Sequence, residues 1–553
     1  MKYLNRLNQY LITIYYLKLS QILWRIYYYF KPRILIDIKI EDVSTKLGVK
    51  TKFLIKSDSI LKKNKFVFLN EPICISSNHK LEEIKLNKLW LYNLNYFDFI
   101  NSNLNNTKEK FALEFLERWL KEVKSPKYIG NDPYPTSLRI VNWIKFYLHR
   151  KQISKSIKLS LLKQTDYLYH NLEWHLLGNH ILSNAKALIF SGMFFSGPNS
   201  KKWKKKGILI YKEQLKAQIL QDGGHFEKSP MYHAIILEDV LDIINLSYNY
   251  SDLPLGFREQ LIETAEKMLS WLNVMSYKNG ETPNFNDNAK NVSHNIIEIS
   301  KYAQNLGIKI PKPIKKNSDL KIKDLHYSGF FRIDQPNATS FLDVGSIGAS
   351  YIPGHAHADT LSFETSFFNH RFFVNLGVST YEISKRRLLE RSTKSHNTVE
   401  IGNKNSSDVW SSFRVASRAS TFDLHTKKLK RKFLISCKHD GYNKIIKKNY
   451  HCRSWIFEDN KIVIKDQITS DESYAIANFI LHPNIEVINI NNEHYYILKN
   501  KSKNKNKKIK FIVVDGESFV EKKLYAPEFG ILKETKSISI KLLKGKSEVN
   551  LTW

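Results

Sequence analysis

The apolar residues along this chain change period once, near residue 311, and that change limits the folds open to it. Before it, "KFALEFLERWLKEV" (110–123), "SLRIVNWIKFYLH" (137–149) and "ILIYKEQLKAQIL" (208–220) repeat apolar positions near i, i+3, i+4 and i+7. That is the spacing of a helix with one buried face. Gly, Pro, Ser and Asn clusters separate these runs, as turns between helices do. After the Pro- and Lys-rich connector "PKPIKKNSDLKIKD" (311–324), runs such as "HYSGFFRI", "LSFETSFF", "KIVIKDQI" and "KIKFIVVDG" alternate with period two, which predicts antiparallel strands. The fold class is therefore α+β and multidomain: a toroid or solenoid of helix pairs, then antiparallel sheets, with a cleft where the two meet. The boundaries read as 1–80 for a basic, aromatic segment packing on the helices, 81–315 for the helical domain and 316–553 for the sheet domain. "KNKSKNKNKK" (499–508) reads as a solvated hairpin loop.

A chain of 553 residues exceeds one hydrophobic core. Its 86 Lys and Arg against 53 Asp and Glu give a net charge of +33. Such a field attracts polyanions: nucleic acid, anionic lipid or acidic polysaccharide. No helix-turn-helix, RNP-like or zinc-finger pattern supports nucleic acid, and none is expected as a partner. Cys74, Cys437 and Cys452 form neither a disulfide framework nor a zinc pattern. At the N-terminus the longest apolar run, Tyr10 to Leu17, is too short to span a bilayer, and no cleavage site follows it. A basic aromatic helix of this kind can lie on a membrane surface, which makes peripheral contact a reading to keep. The expected location is cytoplasmic or periplasmic, with cytoplasmic favoured.

Four stretches gather titratable residues with glycine: "LLGNHILSN" (176–184), "DGGHFEKSPMYH" (222–233), "YIPGHAHADTLSFE" (351–364) and "STKSHNTVEIGN" (392–403). Taken alone, Asn179 with His180 reads as a polar pair satisfied between helices, and Tyr232 as a core tyrosine with its hydroxyl bonded. His355 and His357, spaced i, i+2, would share one face of a strand. Four such clusters, two in helical and two in strand territory, point to one site at the junction of the domains.

The four segments, in this order, resemble those of the heparinase II/III-like polysaccharide lyases. "LWLYNLNYFDF" (89–99), "PYPTSLRIVNWIKF" (133–146), "DVWSSFRVASRA" (408–419) and "HDGY" (439–442) resemble the same family. The resemblance implies an incomplete α/α toroid followed by an antiparallel β-sandwich. It also implies β-elimination on an acidic, uronate-bearing polysaccharide, an activity that leaves a 4,5-unsaturated uronate. That reaction needs a group to neutralise the carboxylate, a base for the C5 proton and an acid for the O4 leaving group. By resemblance Asn179, with His180 beside it, holds the carboxylate, while Tyr232 and His355 share the proton transfers. His225, Glu227, Trp174 and Tyr134 are candidates for substrate binding. A structural divalent ion, zinc or calcium, is implied on His357, Asn375 and His396. Asn375 stands where the family has Asp, and it is the weaker ligand. The rival readings are a relative that binds acidic glycan without cleaving it and a nucleic-acid-binding protein. The absence of a secretion signal points to a glycan of capsule or exopolysaccharide type.

Overall fold

The computed structural model describes residues 2–32, 41–44, 48–150, 153–250, 253–312, 314, 319–443, 449–469, 474–489, 494–501 and 507–553. Parts of the 311–324 connector and the centre of the 499–508 loop lie outside them. The strands flanking that loop, Tyr495–Asn500 and Lys508–Asp515, pair antiparallel.

From Lys88 to Asn305 the regular structure is almost wholly helical. Helix starts follow side-chain caps: Asn105 accepts from Lys108 N, Ser229 from Tyr232 N, and Asn295 completes a capping box with Glu298. The helix Gly178–Phe194 is the central one, and every residue in it except His180 is buried. This explains its apolar character all round, which a surface helix would not have. Lys186 of this helix bonds Asp239 (2.6 Å) and Asp242 (2.5 Å) of the buried helix Pro230–Ser247. Asp242 also takes Lys145 at 2.5 Å. A buried charge left unpaired is costly, so these contacts fix the register of the two helices. The same two helices carry Asn179 and Tyr232.

From Lys321 onward the chain is mostly strand. Antiparallel sheets of five, four and eight strands form here. The strand His451–Glu458 alternates buried and half-buried residues along its whole length, the signature of a sheet with one face on a core. Residues from all three sheets, among them Phe331, Phe479 and Trp455, share one apolar cluster.

Two N-terminal helices, α1 (Lys2–Tyr15) and α2 (Leu19–Phe30), join the regions. On α1, Gln9 donates to Asp408 Oδ1 at 3.0 Å, and Thr13 accepts from Trp410 Nε1 at 3.1 Å. On α2, Gln21 donates to Leu176 O at 3.3 Å, and Tyr28 to Leu172 O. Lys18 between them lies over the Tyr351 ring at 3.8 Å. This pair therefore straps the helical region to the sheet region, rather than packing on the helices alone.

Candidate active site

The strap, the helices and the loops before the strands enclose a cleft of about 1730 Å³. Asn179, His180, Tyr232 and His355 all line it, with Tyr134. The backbone around Asn179 is unusual. Residues 171–177 form a loop, and the helix begins at Gly178. Leu177 has φ +64°, a conformation a side chain disfavours. Gly178 follows at φ +57°, where an added Cβ would lie 2.8 Å from Glu227 Oε1. Asn179 thus stands in the first turn of a buried helix, where the helix dipole favours an anion.

His180 meets Glu173 Oε1 at 3.1 Å, and its ring lies 4.6 Å from that of Tyr134. Burial works against its charged form, but Glu173 prevails and raises its pKa. Tyr232 stacks on His355 with ring centroids 3.8 Å apart, and its hydroxyl lies 3.2 Å from that of Tyr381. Burial, reinforced by Tyr381 and Asp287, pushes the Tyr232 phenol well above its ordinary pKa, so it rests protonated.

His355 and His357 sit in a loop before the strand Phe363–Phe367, not on a strand as their spacing suggested. They still converge, because Asp287 takes both. His355 Nδ1 lies 2.9 Å from Oδ2, and His357 Nε2 lies 2.9 Å from Oδ1. Arg387 donates to the same two oxygens at 2.5 and 2.8 Å. Burial alone would raise the Asp287 pKa, but Arg387 and the two histidines hold it well below the usual carboxylate range. An ionised Asp287 accepts from His355 Nδ1, which selects the tautomer whose lone pair is on Nε2. Asp287, Arg387 and Tyr381 were not found from sequence. The stretch "NFNDNAK" around Asp287 reads as a polar turn, and its partners lie 68 to 100 residues away.

Three candidates for substrate binding are corrected by their surroundings. His225 is fully buried, with Nε2 3.0 Å from Gln218 Oε1, and does not line the cleft. Glu227 is also buried; it accepts the Asn179 backbone N–H at 3.4 Å and reaches within 3.7 Å of His355 Nε2. It supports those residues from behind. The Trp174 indole stacks on Trp24 of α2, 6.2 Å between centroids, and does not line the cleft.

His357 Nδ1 and His396 Nε2 face each other at 3.1 Å, and His396 Nδ1 lies 2.8 Å from Ser392 O. Burial lowers both imidazoles, His357 to about 4 and His396 well below its ordinary value, so both rings are neutral. Two neutral rings carry two protons, yet the contacts to Asp287, between the rings and to Ser392 need three. A cation held by His357 and His396 would remove the shortfall. Each ring would keep its outer N–H bond, as ligating histidines usually do. Asn375 donates to Asn284 O and accepts from Asn397 N at 3.0 Å, and a carbonyl oxygen has a second lone pair. Among the described residues no group of three His, Cys, Asp or Glu is placed to hold a metal. The two imidazoles would suit zinc and not calcium, which takes oxygen ligands.

The charge of the cleft departs from the expectation that the basic surplus serves the substrate. Among the described residues eight Lys or Arg and nine Asp or Glu line it. Several of those cations are already paired, as Lys56 with Glu238 (2.5 Å), Lys186 with Asp239 (2.6 Å) and Lys290 with Glu281 (2.6 Å).

The fold is shared with solved lyase structures. It matches one of heparinase III with a TM-score of 0.68 at 17% identity, covering 96% of this chain and 88% of that one. It matches a heparan sulfate lyase HepC mutant from Pedobacter heparinus at 0.59 and 15%, covering 89% and 81%. At these identities the likeness is one of fold. Sequence carries the relation further: the heparinase II/III N-terminus matches residues 147–308, and the heparinase II/III-like C-terminal part matches 317–553. A heparin-sulfate lyase of Bacteroides stercoris is 30% identical over 268 residues, 44% of this chain and 39% of the relative. One of Pedobacter heparinus is 25% identical over 349 residues, 59% and 50%. The chain belongs to the heparinase II/III-like family. It spans half or less of the length of these curated relatives.

Proposed function

We propose that this protein is a polysaccharide lyase that cleaves a uronate-bearing glycan by β-elimination. The observation that carries this reading is the convergence of Asn179, Tyr232 and the Asp287-bound His355 on one cleft. Asn179 and His180, at the helix N-terminus, receive the uronate carboxylate and draw off its charge, so that the C5 proton becomes removable. His355 Nε2, held to one tautomer by Asp287, takes that proton. Tyr232, protonated at rest, gives its own to O4 as the bond breaks. The tyrosinate is restored by the proton left on His355, whose ring lies against it. Family relatives carry the names heparin-sulfate lyase and heparinase III, which supports a glycosaminoglycan-like substrate.

The balanced charge of the cleft favours a chain with isolated carboxylates over a densely sulfated one, which includes acidic capsule and exopolysaccharide types. The finer fold description that goes with this reading is an incomplete α/α toroid followed by a β-sandwich. A zinc ion held by His357 and His396, with Asn375 beside them, would brace the loop that carries His355 and take no part in the proton transfers. The test is a panel of uronate polysaccharides followed by the ultraviolet absorbance of the unsaturated product. Activity on sparsely sulfated or unsulfated polymers above that on heavily sulfated heparin is expected. No absorbance with any uronate polymer would favour a glycan-binding relative without catalysis.

A further inference from the structure

If the cleft does not use the +33 surplus, the surplus has another partner, and the strap shows where. Its inner side faces the cleft or the two regions it joins: Thr13, Leu17, Gln21, Arg25 and Tyr28 line the cleft. Its outer side carries Leu7 and Leu11 on α1, then Leu19, Leu23, Ile26 and Phe30 on α2, each between 53 and 76% exposed. The spacing is i, i+4 on α1 and i, i+4, i+7, i+11 on α2, one continuous stripe along each helix. None of these six side chains lines the cleft. An apolar row of this length is not left in water without reason.

What surrounds the stripe names its occupant. The first acidic residue of the chain is Asp37, so no carboxylate of the strap repels an anionic surface. At the end of α2, Lys31, which also reaches the rim of the cleft, donates to His170 O, and beside it Lys206 donates to Tyr169 O at 3.2 Å. Their acceptors are neighbouring residues, so the two side chains lie close. Lys206 belongs to the run "KKWKKK" that opens the helix Pro198–Gln218, anchored by the buried Trp203. Lys201, Lys202 and Lys205 of that turn are exposed. An apolar row along each helix, the second ending beside a lysine cluster, is the pattern of helices lying in the interface of an anionic bilayer.

We infer that the outer face of the α1–α2 strap, with the Lys201–Lys206 turn, docks the protein on an anionic lipid surface. Docking there places one edge of the cleft beside the membrane, since the inner faces of the same helices form that edge. The inference is independent of the chemistry proposed for the site.

The experiment is co-sedimentation of the full chain with phosphatidylcholine vesicles, with and without phosphatidylserine, at low and physiological salt. The wild type is expected to pellet with the phosphatidylserine vesicles, less so as salt rises, and to stay in solution with pure phosphatidylcholine. Leu11→Glu with Leu23→Glu should lower the bound fraction about tenfold or more, with unchanged melting temperature. Lys201→Glu with Lys205→Glu should do the same through charge. Failure of the wild type to pellet at low salt would overturn the inference, as would undiminished pelleting of the leucine variant. A wild-type dimer that the leucine variant turns into a monomer, without vesicle binding, would assign the stripe to a second copy and overturn it equally.

Discussion

Replacing Asp287 by asparagine keeps the side chain's size and removes only its charge. In the native protein this buried carboxylate accepts from His355 Nδ1, His357 Nε2 and both terminal nitrogens of Arg387. Asparagine offers one acceptor oxygen and turns an NH₂ toward donors on its other side. Arg387, fully buried, loses its counter-ion. Breaking a buried pair from one side destabilises by about 3–5 kcal/mol, a large part of the roughly 5–15 kcal/mol that holds a typical protein folded. Catalysis should fall independently, because His355 no longer has a charge fixing its proton on Nδ1. Loss of a placed general base lowers turnover by roughly 10²–10⁴-fold. The two effects separate in the double variant Asp287→Asn, Arg387→Gln. Removing the stranded guanidinium charge should return part of the lost melting temperature and none of the turnover. Thermal denaturation by circular dichroism reads the first and initial rates of product absorbance the second. Turnover of Asp287→Asn within a few fold of wild type would refute the assignment of Asp287 as the group that orients His355.

Tyr232→Phe keeps the ring on His355 and loses one hydrogen bond, so stability should change by about 1 kcal/mol. Turnover should drop roughly 10²–10⁴-fold, read by melting curve and initial rates side by side. His180 has its pKa raised by Glu173, so it is charged below that raised pKa and neutral above it; KM should rise as pH climbs through it. Glu173→Gln should move that rise to lower pH, and a pH-independent KM would remove His180 from carboxylate binding. Elemental analysis should find about one zinc per chain, and a chelator should lower the melting temperature. A metal-free preparation of unchanged stability would mean that His357 and His396 share an extra proton instead.

How legible all this was depends on how local each cause is. The run 208–220 reads as a helix because its period is written in consecutive residues, and it falls at the end of the helix Pro198–Gln218. The strand run "KIVIKDQI" is found as Lys461–Ile468 for the same reason. The left-handed backbone at Leu177 and Gly178 starts the helix only at Gly178, and the close neighbours that leave no room for a Cβ there, Glu227 and Ile352, are distant in sequence. His355 and His357 were expected on a strand by their alternation, yet their common direction comes from Asp287 in another segment. Trp174 looked like a sugar platform until Trp24, 150 positions earlier, proved to cover it. The net charge was plain in the composition, but its distribution was not. Which lysines sit in the cleft, and that several have carboxylate partners there, are products of the fold.

The central claim is that the glycan is cut by elimination, and the products carry the answer directly. Digestion of a responsive uronate polymer in water enriched in heavy oxygen, followed by mass spectrometry, distinguishes the two ways a glycosidic bond can open. Elimination by His355 and Tyr232 uses no water, so the new ends should hold no heavy oxygen, and the uronate end should be lighter by one water than a hydrolytic product. A product carrying one heavy oxygen per cut, with no unsaturated uronate, would contradict the account.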